Sequence, residues 1–177
     1  MQKVKYGKLP PPLFLNNGNC YIIESKLPDW TITKTGETVR NRYKDKHMNL
    51  DHLNGKTFLI VDDDNFNIQL IKTMLDKLAN VKVVSTDKGS EALTVLKVCG
   101  EYIDMVLLDL QMPEMKGEDV LEAIRDEMQS DVPVLIISVN GLEEQELKEK
   151  GANDFVLKPF ELDDLKTKIM KYLPKEN

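Results

Sequence analysis

Long apolar runs are missing from this 177-residue chain, and nothing in it approaches the roughly 20 apolar residues a membrane-spanning helix needs. The first residues, Met1-Gln-Lys-Val-Lys-Tyr-Gly-Lys8, also lack the apolar core of a secretion signal. Cysteine is scarce. Cys20 and Cys99 form neither a disulfide framework nor a zinc-ligand spacing. These absences lead us to expect a cytoplasmic protein with no membrane partner. An excess of positive charge is lacking too. Against 24 Lys and Arg stand 30 Asp and Glu, a net charge of −6 that speaks against direct nucleic-acid binding. No glycine-rich phosphate loop and no G-x-G-x-x-G follows the first apolar strand run, so a nucleotide site of that type is excluded.

What is present divides in two. Hydrophobic content of 41% and charged content of 31% describe an ordinary globular chain, but the charge is uneven. Residues 1–55 carry nine basic and five acidic residues, so the remaining 122 hold the acidic excess. Pro10-Pro11-Pro12 is a stiff spacer. After it, residues 13–15 and 20–23 read as two strands about an Asn-Gly turn, and residues 30–33 and 38–39 as a weaker hairpin. Residues 40–50 are basic and polar and read as a linker or a short helix. Two isolated hairpins are marginal in water. We therefore expect residues 1–55 to be a small β-rich accessory arm that buries Phe14, Tyr21 and Trp30 against the main domain or a second subunit.

From Lys56 the pattern is regular. Apolar strand runs are expected at 57–61, 81–84, 103–108, 132–137 and 155–157. Between and after them, helical spacing is expected over 65–79, 88–98, 118–128, 142–150 and 161–172. Alternation of this kind implies an α/β domain over 56–177, a parallel sheet with helices on both faces. The middle run, Met105-Val106-Leu107-Leu108, is apolar throughout, as in a strand buried on both faces, and ends on Asp109. Pro113 and Gly117 then force a loop.

Parallel strands put their carboxyl ends on one rim, where open α/β sheets bind ligands. The strand ends expected there carry Asp62-Asp63-Asp64, Asp109, Ser138 and Lys158. Each has a bland alternative: a solvated turn and helix cap for the acid run, a turn hydroxyl for Ser138, a surface charge for Lys158. Together they have a chemistry. Clustered carboxylates stay ionised only with a cation among them. Hard oxygen donors select Mg2+ or Mn2+ over zinc. Asp109 beside such a metal is placed to attack a phosphoryl group as a carboxylate nucleophile. Lys158 and Ser138 supply a positive charge and a hydroxyl to its oxygens.

On these residues the chain, over 56–173, resembles the receiver domains of two-component response regulators. Asp62 and Asp63 match the family's acidic pair, Asp109 its phosphoacceptor, Ser138 its Ser/Thr, Lys158-Pro159 its lysine and frequent cis proline, and Phe155 its switch aromatic. The run Gln111-Met-Pro-Glu-Met-Lys-Gly117, with Asn67, is most similar to receivers attached to or served by hybrid histidine kinases. The resemblance implies a flavodoxin-like fold with strand order 2-1-3-4-5. It implies Mg2+, or Mn2+, held by Asp62, Asp63, Asp109 and the backbone carbonyl of Gln111. It implies a histidine kinase or a histidine phosphotransfer protein as phosphodonor and a further protein as downstream partner, with no conventional enzyme turnover. Only Pro174-Lys-Glu-Asn177 follows the last expected helix, so signalling is expected through partner binding, with self-association through the arm as one form of it.

Two other classes stay open at this point. Haloacid-dehalogenase-like phosphatases also use an Asp nucleophile, but carry a second Asp two residues on, where this chain has Gln111. A protein-interaction module with a vestigial site is the other. Two departures from the receiver pattern are visible. Val139 stands where a smaller residue is usual and is expected to narrow access to Asp109. The stretch from Ser138 to Gly151 is about two residues short, and its helix is almost wholly charged. For switching, phosphorylated Asp109 is expected to draw Ser138 inward and let Phe155 turn from an exposed to a buried rotamer. His47 and His52 are expected to be polar linker residues.

Overall fold

The computed structural model describes residues 13–16, 19–22, 50–139, 141 and 144–175; for 13–16 and 19–22 the description covers the backbone. Leu13–Asn16 (β1) and Asn19–Ile22 (β2) pair antiparallel. The hairpin expected around Trp30, the linker at 40–49, His47 and the burial of Phe14, Tyr21 and Trp30 lie outside what is described.

The main sheet is built from Thr57–Val61 (β3), Lys82–Thr86 (β4), Met105–Asp109 (β5), Val134–Ser138 (β6) and Asp154–Leu157 (β7). Its order is β4-β3-β5-β6-β7 and every pairing is parallel, the flavodoxin-like arrangement. The three inner strands, β3, β5 and β6, are buried along their whole length, which is why they read as unbroken apolar runs.

The helices are Asn65–Leu78 (α1), Gly89–Cys99 (α2), Gly117–Glu122 (α3), Glu144–Glu149 (α4) and Leu162–Tyr172 (α5). Side chains alternate across the sheet and fill two cores. On one face Ile68, Ile71 and Leu75 of α1 and Leu165 and Ile169 of α5 meet Phe58, Ile60, Leu107 and Ile137. On the other, Val95 of α2, Val120 of α3 and Leu147 of α4 meet Leu59, Val106, Ile136 and Phe155.

Most element bounds differ from the sequence expectation by one or two residues. Strand β4 runs two residues further, through Ser85 and Thr86. Their hydroxyls are satisfied by Lys72 Nζ at 2.9 Å and Glu91 Oε2 at 2.8 Å, so polar residues continue the strand. Helix α3 is regular to Glu122 and widens into a π-helical turn over Ala123–Glu127. There Arg125 donates to the carbonyls of Gly151, Ser130 and Val132 and to Asn153 Oδ1, which ties the helix end to two loops. The last strand begins at Asp154, one residue early. Among the described residues no helix is long and apolar enough to cross a membrane.

Ahead of β3, Asp51–Leu53 forms a short 3-10 turn. Its Leu53 is buried in the α1/α5 core, and His52 Nε2 lies 3.1 Å from the carbonyl oxygen of Leu173 beyond α5. His52 is thus a structural tie between the two ends of the domain.

Candidate phosphoacceptor site

Strand β5 ends on Asp109 between β3 and β6, at the carboxyl rim of the sheet. The residue is 5% exposed. Its Oδ1 accepts from Lys158 Nζ at 2.7 Å and its Oδ2 from the Gln111 N–H at 3.0 Å. Lys158 follows the last residue of β7, and its backbone N–H donates to the Ser138 carbonyl at 2.7 Å. The same ammonium reaches Asp62 Oδ2 at 2.9 Å. Lys158-Pro159 is a cis peptide bond. Asp62 follows β3, is 1% exposed, and its Oδ1 accepts from the Asp64 N–H and from Asn67 Nδ2 at 2.9 and 3.1 Å. Asp63 is exposed. Asp64 caps α1, accepting from the Phe66 N–H at 2.8 Å.

Burial pushes the Asp109 carboxyl above its ordinary range, and the charge of Asp62 adds to that; the hydrogen bond and charge of Lys158 and the Gln111 N–H pull the other way. Burial also opposes the charge on Lys158, but its bonds to Asp109 and Asp62 outweigh this and hold the ammonium above its usual value. The lysine is therefore a fixed positive charge.

One carboxylate oxygen from each of Asp62, Asp63 and Asp109 can be chosen so that the three lie within 4.8 Å of one another. Three carboxylates facing one ammonium leave two negative charges, which a divalent cation balances. All donors are hard oxygens, so the set fits Mg2+ or Mn2+ and disfavours a soft-ligand metal.

The sequence-predicted residues thus come together, with distinctions. Asp62, Asp63, Asp109 and Lys158 form one cluster. Gln111 touches Asp109 through its backbone, and its side chain is exposed. Ser138 is buried and ends β6 one position beyond Ile137, the residue opposite Asp109. Val139 is exposed. Phe155 is 2% exposed and sits inside the α2/α3 core. This corrects the expected starting point of the switch: the ring is already inward in this conformation, because Leu147 of α4 is buried in the same cluster and Lys148 stands over the ring.

Two features escaped sequence reading. Asn67 was visible only as part of a motif, whereas in the fold its amide holds Asp62. Asp154, directly before Phe155, is buried and paired with Lys168 and Lys171 at 3.2 and 2.8 Å. Burial works against its charge, but these bonds and the Phe155 N–H hold its carboxyl well below the usual carboxylate range.

Comparison with known proteins agrees with this geometry. Residues 58–170 match the family model described as the response regulator receiver domain. The chemotaxis protein CheY of Pseudomonas aeruginosa is 36% identical over 122 residues, covering 67% of this chain and 97% of that protein. The two-component response regulator ORR22 of rice is 35% identical over 114 residues, which is 63% of this chain but 16% of that protein's length. Among solved structures, a response regulator receiver domain protein of Clostridium thermocellum superposes with a TM-score of 0.62 at 25% identity, covering 67% of this chain and 94% of that one.

Proposed function

The chain belongs to the response regulator receiver domain family, and on that premise we propose that it accepts a phosphoryl group on Asp109 from a histidine kinase or a histidine phosphotransfer protein. Its phosphorylated form then signals by binding a further protein. The observation that carries this reading is the Lys158 ammonium fixed between Asp62 and Asp109, at 2.9 and 2.7 Å, with Asp63 alongside.

One carboxylate oxygen of Asp109 forms the new O–P bond as the P–N bond to the donor imidazole breaks, and the imidazole leaves with the bonding pair. Lys158 gives positive charge to one phosphoryl oxygen, and the Ser138 hydroxyl donates to another. Asp63, Asp109 and the Gln111 carbonyl, with Asp62 acting through water, would hold Mg2+ or Mn2+. The metal, when bound, offsets the charge spread over the phosphoryl oxygens. Burial of Asp109 disfavours its bare charge, which suits a carboxylate that becomes an acyl phosphate. Residues 1–55 act as an accessory arm beside the receiver unit at 56–177 and offer a surface for self-association.

Intact-mass measurement with acetyl phosphate and Mg2+ tests the reading. One phosphoryl group is gained by the parent and none by Asp109→Asn. Sustained phosphate release without a phosphoprotein would instead mark a phosphatase, and no reaction at all a vestigial site.

A further inference from the structure

Asp62 sits deeper than its two acidic neighbours and depends on few donors. Its Oδ1 takes the Asp64 N–H and the Asn67 amide, and its Oδ2 takes Lys158. A buried carboxylate needs its acceptor sites filled. Of the three donors the Asp64 N–H is fixed by the backbone at the α1 cap, so it cannot compensate for a loss. Lys158 can, because its flexible stem already divides one ammonium between Asp62 and Asp109. Whatever satisfies Asp62 from the α1 side therefore decides how much of Lys158 is left for Asp109.

Asn67 is the third residue of α1. An acid is commonly favoured in a helix's first turn. Here it would set another carboxylate against Asp62. An amide presents an N–H instead, and a side chain as short as Asn reaches Asp62 Oδ1 at 3.1 Å. We propose that Asn67 is a positioning residue of the phosphoacceptor site: by satisfying Asp62 it keeps Lys158 on Asp109. This inference rests on the receiver reading above.

The test compares phosphoryl uptake from acetyl phosphate at saturating Mg2+ in the parent, Asn67→Ala and Asn67→Asp, each also in a Lys158→Ala background. Asn67→Asp keeps the size and replaces the donor with an acceptor. Uptake is expected to slow about tenfold in Asn67→Ala, the scale of one hydrogen bond to a charged group, and at least as much in Asn67→Asp. With Lys158 already removed, the same changes are expected to alter the rate less than about twofold, since the route runs through the lysine. The Lys158 ammonium nitrogen signal in NMR gives a second readout, independent of turnover, and is expected to move in Asn67→Ala. Parent-like uptake in both variants overturns the proposal. So does equal slowing in the two backgrounds, the mark of a merely structural residue, or an unmoved Lys158 signal. Absence of phosphoryl uptake in the parent is a different failure, which removes the receiver reading and the positioning role with it.

Discussion

Phe155 lies beneath Lys148, whose ammonium nitrogen stands 5.9 Å from the centre of its ring. The ring is closed in from several sides. Leu147 and Ala152 are buried in the same cluster, and the residue before it, Asp154, is pinned by two lysines of α5 and by the Phe155 N–H. In the described conformation no phosphoryl group is needed to bring this side chain inward. Any response at Phe155 is a redistribution between packings that starts from the buried one. One charge-assisted hydrogen bond to Ser138, roughly 1.5–3 kcal/mol, biases such an equilibrium by about ten- to a hundredfold.

Before any phosphoryl analogue is added, the Phe155 ring protons are therefore expected to show the dispersed NMR shifts of a packed aromatic. Phe155→Ala should cost about 3–5 kcal/mol of stability in urea denaturation, as removal of a buried aromatic does. Random-coil shifts for Phe155 in the unphosphorylated protein, together with a cost below about 1 kcal/mol, would contradict the buried placement.

The three consecutive acids should separate by role. Asp63→Ala is expected to weaken Mg2+ binding far more than Asp64→Ala in calorimetry, because Asp64 is spent on the α1 cap and Asp63 is exposed toward the cluster. Asp64→Ala should instead lower stability by about 1 kcal/mol, the worth of a helix cap. Equal loss of metal affinity at both positions would show the register of the site to be wrong.

Much of this was legible in the sequence because burial leaves a plain signature. Strands β3, β5 and β6 read as apolar runs since both faces are covered, and the parallel topology then brings Asp62, Asp109, Ser138 and Lys158 to one rim with no further information. What was not legible depends on partners distant in sequence. Asp154 looks like a strand breaker until Lys168, Lys171 and the Tyr172 hydroxyl are folded against it. Ser85 and Thr86 look like a turn until Lys72 and Glu91 arrive. The inward Phe155 depends on where α4 lies, and its charged sequence gave little hint that Leu147 would be fully covered.

Gly117 offers a sharp test of how the loop after Asp109 closes. A Cβ there would fall 2.2 Å from the Asp109 carbonyl oxygen and 2.8 Å from Leu110 Cα, backbone that cannot step aside. The Gly117 N–H donates to the Leu110 carbonyl at 3.0 Å, so the start of α3 rests directly on the end of β5. Gly117→Ala is expected to cost about 1–3 kcal/mol as an overpacking change. It should also slow phosphoryl uptake by displacing Asp109 from Lys158. Parent-like stability and uptake would mean that the close approach does not exist in solution.

Burial moves the Asp109 carboxyl upward, and that direction sets how stability varies with pH. The carboxyl titrates above the ordinary range in the folded protein, so the native state binds this proton more tightly than the unfolded chain does. From an unfolded value of about 4 up to the raised folded value, stability contributed by this group falls as pH rises. At neutral pH the ionised Asp109 is thus a net cost, and Asp109→Asn removes it while leaving Lys158 paired with Asp62. In metal-free buffer the variant should melt higher than the parent at pH 7, with the gap closing as pH falls through the raised folded value and Asp109 takes up its proton. Mg2+ should narrow the gap at neutral pH from the other direction, because it stabilises the parent's three carboxylates and finds a weaker site in the variant. Thermal melts of both proteins across that range, with and without Mg2+, supply the measurement. A parent that out-melts Asp109→Asn at pH 7 without metal would place the Lys158 bond above desolvation as the dominant force on this carboxylate.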